Sequence, residues 1–198
     1  MSSSLIEAIV IGGSAGALDA VGAMLPALPA DFGLPVVIVI HVAAGRASHL
    51  AELFGRRCAL PVREPDDKEP LTAGVVHVAP PGYHLLIARR RTFALSIDPP
   101  VRFSRPSIDV LFESAADAYG PALAALLLSG ANDDGARGLA RIKAAGGTTA
   151  VQAPATAPVP TMPEAALRRT AIDHVLPLAE LGPWLAGLDD RGRREEAR

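Results

Sequence analysis

Three short stretches of this 198-residue chain carry side chains that could act together on a carbonyl carbon. Gly12-Gly13-Ser14-Ala15-Gly16 fits G-x-S-x-G, the pattern of a nucleophile elbow, where glycines permit a sharp turn and keep walls away from the hydroxyl. His41 closes the apolar run Val36–Ile40 and offers an imidazole, the side chain best suited to proton transfer near neutrality. Asn132-Asp133-Asp134-Gly135 supplies an acid that could accept the imidazole N–H, fix its tautomer and stabilise the imidazolium. Serine, base and carboxylate together would support acyl transfer, with Ser14 as nucleophile, His41 as proton shuttle and Asp133 or Asp134 as orienting acid.

Each stretch also has a plainer reading. A glycine-rich turn ahead of a helix can be an anion-binding loop or only a tight turn. The dinucleotide fingerprint would need glycine where Ser14 and Ala17 stand, and no G-K-[ST] follows for a P-loop. A lone histidine at a strand end can be a hydrogen-bonded structural residue, and Asp133 and Asp134 can be turn or capping residues. No EF-hand spacing and no His–carboxylate cluster accompanies the acids, so no metal is expected. His49, His77, His84 and His174 do not end strands in this way.

Presenting three such groups to one crevice requires strands that end side by side. Apolar runs repeatedly stop at glycine or turn residues and are followed by helical spacing, the rhythm of a parallel sheet covered on both faces. The expected fold is α/β: a doubly wound, mostly parallel sheet with helices on both faces and a small antiparallel hairpin. Residues 6–11 and 35–41 read as the first two strands, with Leu18, Val21, Leu25 and Leu28 along one face of the helix between them. A helix over 48–57 precedes a proline-rich surface connection over 60–72 around a short strand, and 75–79 is a further strand. Residues 85–88 and 92–97, joined by Arg89-Arg90-Arg91, form the hairpin. Ser107 is expected to cap a helix over Ile108–Tyr119, with Asp109 in its first turn. Strands over 123–128, 148–151 and 173–176, and a helix over 139–145 ended by Gly146-Gly147, complete the alternation. Residues 153–162, with Pro154, Pro158 and Pro160, are expected to be an irregular loop beside the site. Ser14, His41 and Asp134 all follow strands at the carboxyl edge, where open parallel sheets form their ligand crevices.

Composition narrows the field further. A formal net charge of -2 and a pI of about 6.2 leave no basic field for a phosphate backbone, so nucleic acid is not an expected partner. Cys58 is the single cysteine and fits a reducing compartment. The apolar runs over 35–40 and 122–128 fall far short of the roughly 20 residues of a membrane span. The start Met-Ser-Ser-Ser lacks a secretory signal, so a cytoplasmic location without membrane insertion is expected. One domain over 1–188 and a charged, disordered tail over 189–198 are expected.

With these loops placed, the sequence resembles the catalytic domain of the chemotaxis protein-glutamate methylesterase (CheB) family. The resemblance rests on Ile11-Gly12-Gly13-Ser14-Ala15-Gly16, Ile40-His41, Val78-Ala79-Pro80-Pro81-Gly82-Tyr83-His84, Arg105-Pro106-Ser107-Ile108-Asp109-Val110-Leu111-Phe112 and Leu128-Ser129-Gly130-Ala131-Asn132-Asp133-Asp134-Gly135-Ala136. Met162-Pro163-Glu164-Ala165-Ala166 adds a further block. It implies Ser14 as nucleophile, His41 as base and then acid, and Asp134 rather than Asp133 as the orienting carboxylate. It implies hydrolysis of glutamate γ-methyl esters on the cytoplasmic part of methylated chemoreceptors or similar signalling proteins, with deamidation of receptor glutamines as an alternative and no cofactor. A catalytically weak signalling or binding module on the same fold is the non-enzymatic alternative. Backbone N–H groups about Gly13, Ala15, Gly16 and Ala131 are oxyanion-hole candidates, and Arg105 either lines the site or anchors its loop.

The chain differs from the family pattern at Ala15, where threonine is usual, at Ala131-Asn132, where Met-Gly is usual, and at Val42-Ala43, where Met-Pro is usual. Family enzymes commonly carry a phosphorylated receiver domain ahead of the catalytic one, as part of a phosphorelay. Here the chain starts almost at the first strand, so no aspartyl-phosphate switch is expected within it, and control by a separate regulatory protein is one expectation.

Overall fold

A computed structural model describes residues 5–41 and 49–196, the last seven of these by their backbone alone. Nine strands and six α-helices occur among them. The strands are β1 (Ala8–Gly13), β2 (Val36–Ile40), β3 (Val62–Arg63), β4 (Val76–Val78), β5 (His84–Ile87), β6 (Phe93–Ser96), β7 (Leu123–Leu127), β8 (Thr148–Gln152) and β9 (His174–Leu176). The helices are α1 (Ala17–Met24), α2 (Leu50–Gly55), α3 (Ile108–Tyr119), α4 (Ala136–Ala144), α5 (Thr161–Arg169) and α6 (Leu178–Glu196). Seven strands form one parallel sheet in the order β3-β4-β2-β1-β7-β8-β9, and β5 and β6 pair antiparallel.

The central strands are apolar on every residue because both faces are covered. Alternation sorts them: Ile9, Ile11, Val36, Ile38 and Ile40 pack with Met24, Leu181 and Leu185 of α1 and α6. Ala8, Val10, Val37 and Val39 pack on the other side with Ile108, Phe112 and Leu139 of α3 and α4 and with Phe93 of the hairpin. The chain winds outward from β1 in both directions, so the strand order reverses between β1 and β7. Crevices in such sheets open beside that reversal, at the carboxyl edge.

The doubly wound sheet and the hairpin agree with expectation, and Ile108–Tyr119 is helical over the expected span. Ser48, the expected start of the second helix, and Val42-Ala43 lie outside the described residues. The expected 153–162 loop contains a single 3-10 turn, Pro154–Thr156, and its last two residues already belong to α5. That helix was not anticipated; Pro163 lies in its first turn, where a missing N–H breaks no helical bond. Nor was α6, and the domain end expected at Leu188 falls inside it. Leu181, Leu185 and Leu188 are buried at helical spacing, which carries the helix into the charged segment. Asp189, assigned to the disordered tail, is buried instead, and its Oδ2 accepts the Gly33 N–H at 3.1 Å.

Candidate active site

The register of the central strands brings two of the expected residues together before any side chain is considered. Gly13 pairs with Ile40, and the His41 N–H donates to the Gly13 carbonyl at 3.1 Å. Ser14 and His41 are therefore the next residues on adjacent strands, which run about 4.8 Å apart. On the other side of β1 the Ser14 N–H donates to the Ser129 carbonyl at 2.9 Å, so the segment after β7 closes against the same turn. Glycine is required at this junction. Gly16 has φ +82 and caps α1, and a Cβ there would stand 2.9 Å from both Pro158 and the Ser129 hydroxyl.

Asp134 is fully buried and accepts five hydrogen bonds. Its Oδ2 takes His41 Nε2 at 2.8 Å and the Ile108 N–H at 2.8 Å. Its Oδ1 takes the Ser107 hydroxyl at 2.9 Å and the N–H groups of Asp109 and Gly135 at 3.0 and 3.1 Å. Burial alone would push this carboxyl up, but the His41 ring and the N–H groups of Asp109 and Ile108 outweigh it and hold it below its ordinary value. An ionised acceptor at Nε2 places the ring proton there and turns the Nδ1 lone pair toward the crevice. The hydroxyl within reach of Nδ1 is that of Ser104, at 3.4 Å, and Ser14 Oγ makes no hydrogen bond among the described residues.

Ser107 corrects its expected role. It occupies the N-cap position of α3, yet its hydroxyl goes to Asp134 and makes no capping bond. The Asp134 carboxylate caps α3 in its place. Asp109 returns the contact: its Oδ1 accepts the N–H groups of Gly135 and Gly138 at 2.9 and 2.8 Å and so caps α4. Burial pushes the Asp109 carboxyl up, the Gly138 N–H opposes that, and the Asp134 charge adds to it.

His84 and Ser104 escaped the sequence reading. His84 Nδ1 accepts the Ser107 N–H at 3.1 Å while Nε2 donates to the Pro99 carbonyl at 3.1 Å, which sets its tautomer and holds both ends of the 99–107 loop. The signal lay in the blocks around Pro80-Pro81-Gly82 and Arg105-Pro106-Ser107, but a histidine that receives a backbone N–H has no spacing rule. Arg105 anchors its loop and lines a recess beside His41. Its Nη1 donates to the Ile97 and Asp98 carbonyls at 2.8 and 3.1 Å, and it lines a recess of about 150 Å³ with His41, Gly82, Pro100, Phe103 and Ser104.

The other expected positions do not line this recess. Gly13 ends β1, and its carbonyl is taken by His41. The N–H groups of Ala15, Gly16 and Ala131 enter no hydrogen bond among the described residues. Asn132 accepts the Asp134 N–H at 3.2 Å, and Asp133 pairs with Arg102 at 2.5 Å, away from His41. Among the described residues no three His, Cys, Asp or Glu side chains gather as a metal site, and no helix is long and apolar enough to cross a membrane.

The doubly wound α/β sheet that ends Ser14 and His41 on adjacent strands, with His41 bonded to the buried Asp134, has the fold and the residue types of a hydrolase. The CheB methylesterase family model matches residues 9–185, and the chain belongs to that family. A Leptospira interrogans protein, named provisionally as a protein-glutamate methylesterase/protein-glutamine glutaminase, is 46% identical over 183 residues, 92% of this chain and 95% of that protein. An Anaeromyxobacter dehalogenans protein-glutamate methylesterase/protein-glutamine glutaminase is 43% identical over 89% of this chain, which spans 51% of that longer protein. The crystal structure of the Thermotoga maritima CheB methylesterase catalytic domain superposes with a TM-score of 0.88 at 30% identity, covering 93% of this chain and all of that one.

Proposed function

We propose that the chain removes methyl groups from glutamate γ-methyl esters of chemoreceptors or similar signalling proteins, giving glutamate and methanol. The observation that carries this reading is the 2.8 Å bond from His41 Nε2 to a buried Asp134, at a strand end next in register to Ser14. Ser14 Oγ attacks the ester carbonyl and passes its proton to His41 Nδ1. The imidazolium is stabilised by Asp134, which its five donors keep ionised. The oxyanion of the tetrahedral intermediate is placed by the unengaged N–H groups of Gly16 and Ala131 and by the amino end of α1. Collapse expels methanol with the proton from His41, leaving a glutamyl ester on Ser14. Water, deprotonated by the same nitrogen, then releases glutamate.

A second substrate uses the same chemistry. The relatives' names pair methylesterase with glutaminase, and a glutamine side chain differs only in expelling ammonia in place of methanol. The test is methanol release from a radiolabelled methylated receptor, with mass spectrometry of receptor glutamines alongside. Release by the wild type and none by Ser14→Ala is expected; equal release by both removes Ser14 from the reaction.

A further inference from the structure

Val101 and Ser104 exchange both backbone hydrogen bonds, Val101 N–H to Ser104 at 3.1 Å and the reverse at 2.9 Å. Arg102 and Phe103 are thus the two central residues of a two-residue hairpin turn, with φ +49 and +62. Such turns favour Asn-Gly or Gly-Gly, because side chains with a Cβ crowd the backbone at positive φ. Phe103 violates that preference and at the same time leaves its ring fully exposed, so neither backbone preference nor burial explains a phenylalanine there.

The turn is nevertheless held firmly. Arg102 pairs with Asp133 at 2.5 Å and reaches toward Asp109, Ser104 meets His41, and Arg105 and His84 fasten the carbonyls of Ile97, Asp98 and Pro99. This holds Phe103, ring exposed, next to Ser104, whose hydroxyl lies 3.4 Å from His41 Nδ1, at the recess that His41 lines. The recess, of about 150 Å³, is lined by His41 and by this turn but not by Ser14, so it borders the reacting position rather than enclosing it. A protein that brings a side chain to His41 therefore comes against the turn.

We infer that Phe103 is a specificity-determining residue: its ring packs on apolar side chains of the protein segment that flanks the reacting glutamyl group, so that esters borne by a folded protein surface are preferred over small free esters. This rests on the proposed esterase reading and adds the contact by which it selects its substrate. The occupant is the substrate's own flanking segment, apolar where it meets Phe103.

Phe103→Gly separates recognition from folding, because glycine suits φ +62 better than phenylalanine does. The variant is expected to melt at or above the wild-type Tm. The ratio of kcat/KM on a methylated receptor to kcat/KM on p-nitrophenyl acetate is expected to fall at least fivefold, mainly through KM on the receptor, and Phe103→Leu should recover part of it. A ratio within twofold of wild type, or a lowered Tm with parallel loss on both substrates, overturns the inference. A wild type indistinguishable from Ser14→Ala on both esters instead refutes the function on which it rests, and the two failures are therefore separable.

Discussion

Asp109 and Asp134 cap each other's helices. Asp134, just ahead of α4, receives the first N–H groups of α3, while Asp109, in the first turn of α3, receives Gly135 and Gly138 at the start of α4. The acid that holds His41 is thus fixed by a helix pair rather than by its own loop. Asp109→Ala leaves the buried Gly138 N–H without its acceptor and the Gly135 N–H with Asp134 alone, and is expected to destabilise the fold by about 1–3 kcal/mol, while also lowering kcat through loss of Asp134's aim. Asp109→Asn keeps an acceptor oxygen and should recover most of the stability. Urea midpoints of the two variants check this, and equal midpoints for both would contradict it.

Two hydroxyls compete for the role of nucleophile: Ser104, 3.4 Å from His41 Nδ1, and Ser14, which follows the strand paired with that of His41. Ser14 lies on the glycine-rich turn at the head of α1, whereas Ser104 lies on a hairpin with no helix N-terminus before it. Ser14→Ala is expected to reduce kcat by roughly 10⁴-fold or more, while Ser104→Ala, which only frees Nδ1 of a weak partner, should change it less than tenfold. A fluorophosphonate should label the peptide that contains Ser14. Label on the Ser104 peptide would reverse the assignment.

The sheet and the three strand-end loops were legible because they follow from local pattern. Val36–Ile40 can only be a doubly covered strand, and a turn of Gly12-Gly13-Ser14-Ala15-Gly16 can only sit where the chain bends sharply. What stayed hidden depends on partners distant in sequence. Ser107 looks like an N-cap until Asp134, 27 residues away, takes its hydroxyl. Asp189 reads as part of a solvated charge run until the Gly33 N–H, 156 residues away, finds it. The helix α6 was missed for a related reason: Gly182 and Pro183 argue locally against a helix, while packing of Leu181 and Leu185 on α1 overrides them.

His77 gives the fold a separate dependence on acid. The ring is fully buried in β4 against Phe93, at 4.7 Å between centroids, and neither ring nitrogen has a hydrogen-bond partner among the described residues. Burial, aided by the Arg63 guanidinium, pushes its pKa down from 6.5 to about 4. Above pH 6.5 both folded and unfolded forms are neutral there, and nothing changes. As pH falls from 6.5 to 4 the unfolded chain takes up a proton that the folded chain refuses, so stability declines by up to roughly 3 kcal/mol across that window. Asp134, with its lowered carboxyl, loses its contribution only below this range. Urea midpoints at pH 7 and 4.5 should therefore converge in His77→Leu relative to wild type; an undiminished gap would exclude His77 as its source.

Gly130 tests whether the wall behind Ser14 must be bare. A Cβ there would stand 2.4 Å from the Met162 methyl carbon and 3.1 Å from Ser14 Cβ. The two neighbours differ in freedom: the Met162 thioether can swing aside, at about 1–3 kcal/mol for crowding a packed site, but Ser14 is fixed between strands by the Ser129 carbonyl. Gly130 cannot retreat either, because its N–H is held by Val159 at 3.0 Å and its carbonyl by the Met162 N–H at 2.9 Å. Gly130→Ala should thus lose modest stability and also lower kcat, because Ser14 must give by a few tenths of an ångström at the reacting group. Adding Met162→Ala makes room on one side only. It should relieve the crowding and leave kcat low, whereas recovery of kcat in the double variant would show that Met162, and not the wall against Ser14, transmitted the damage.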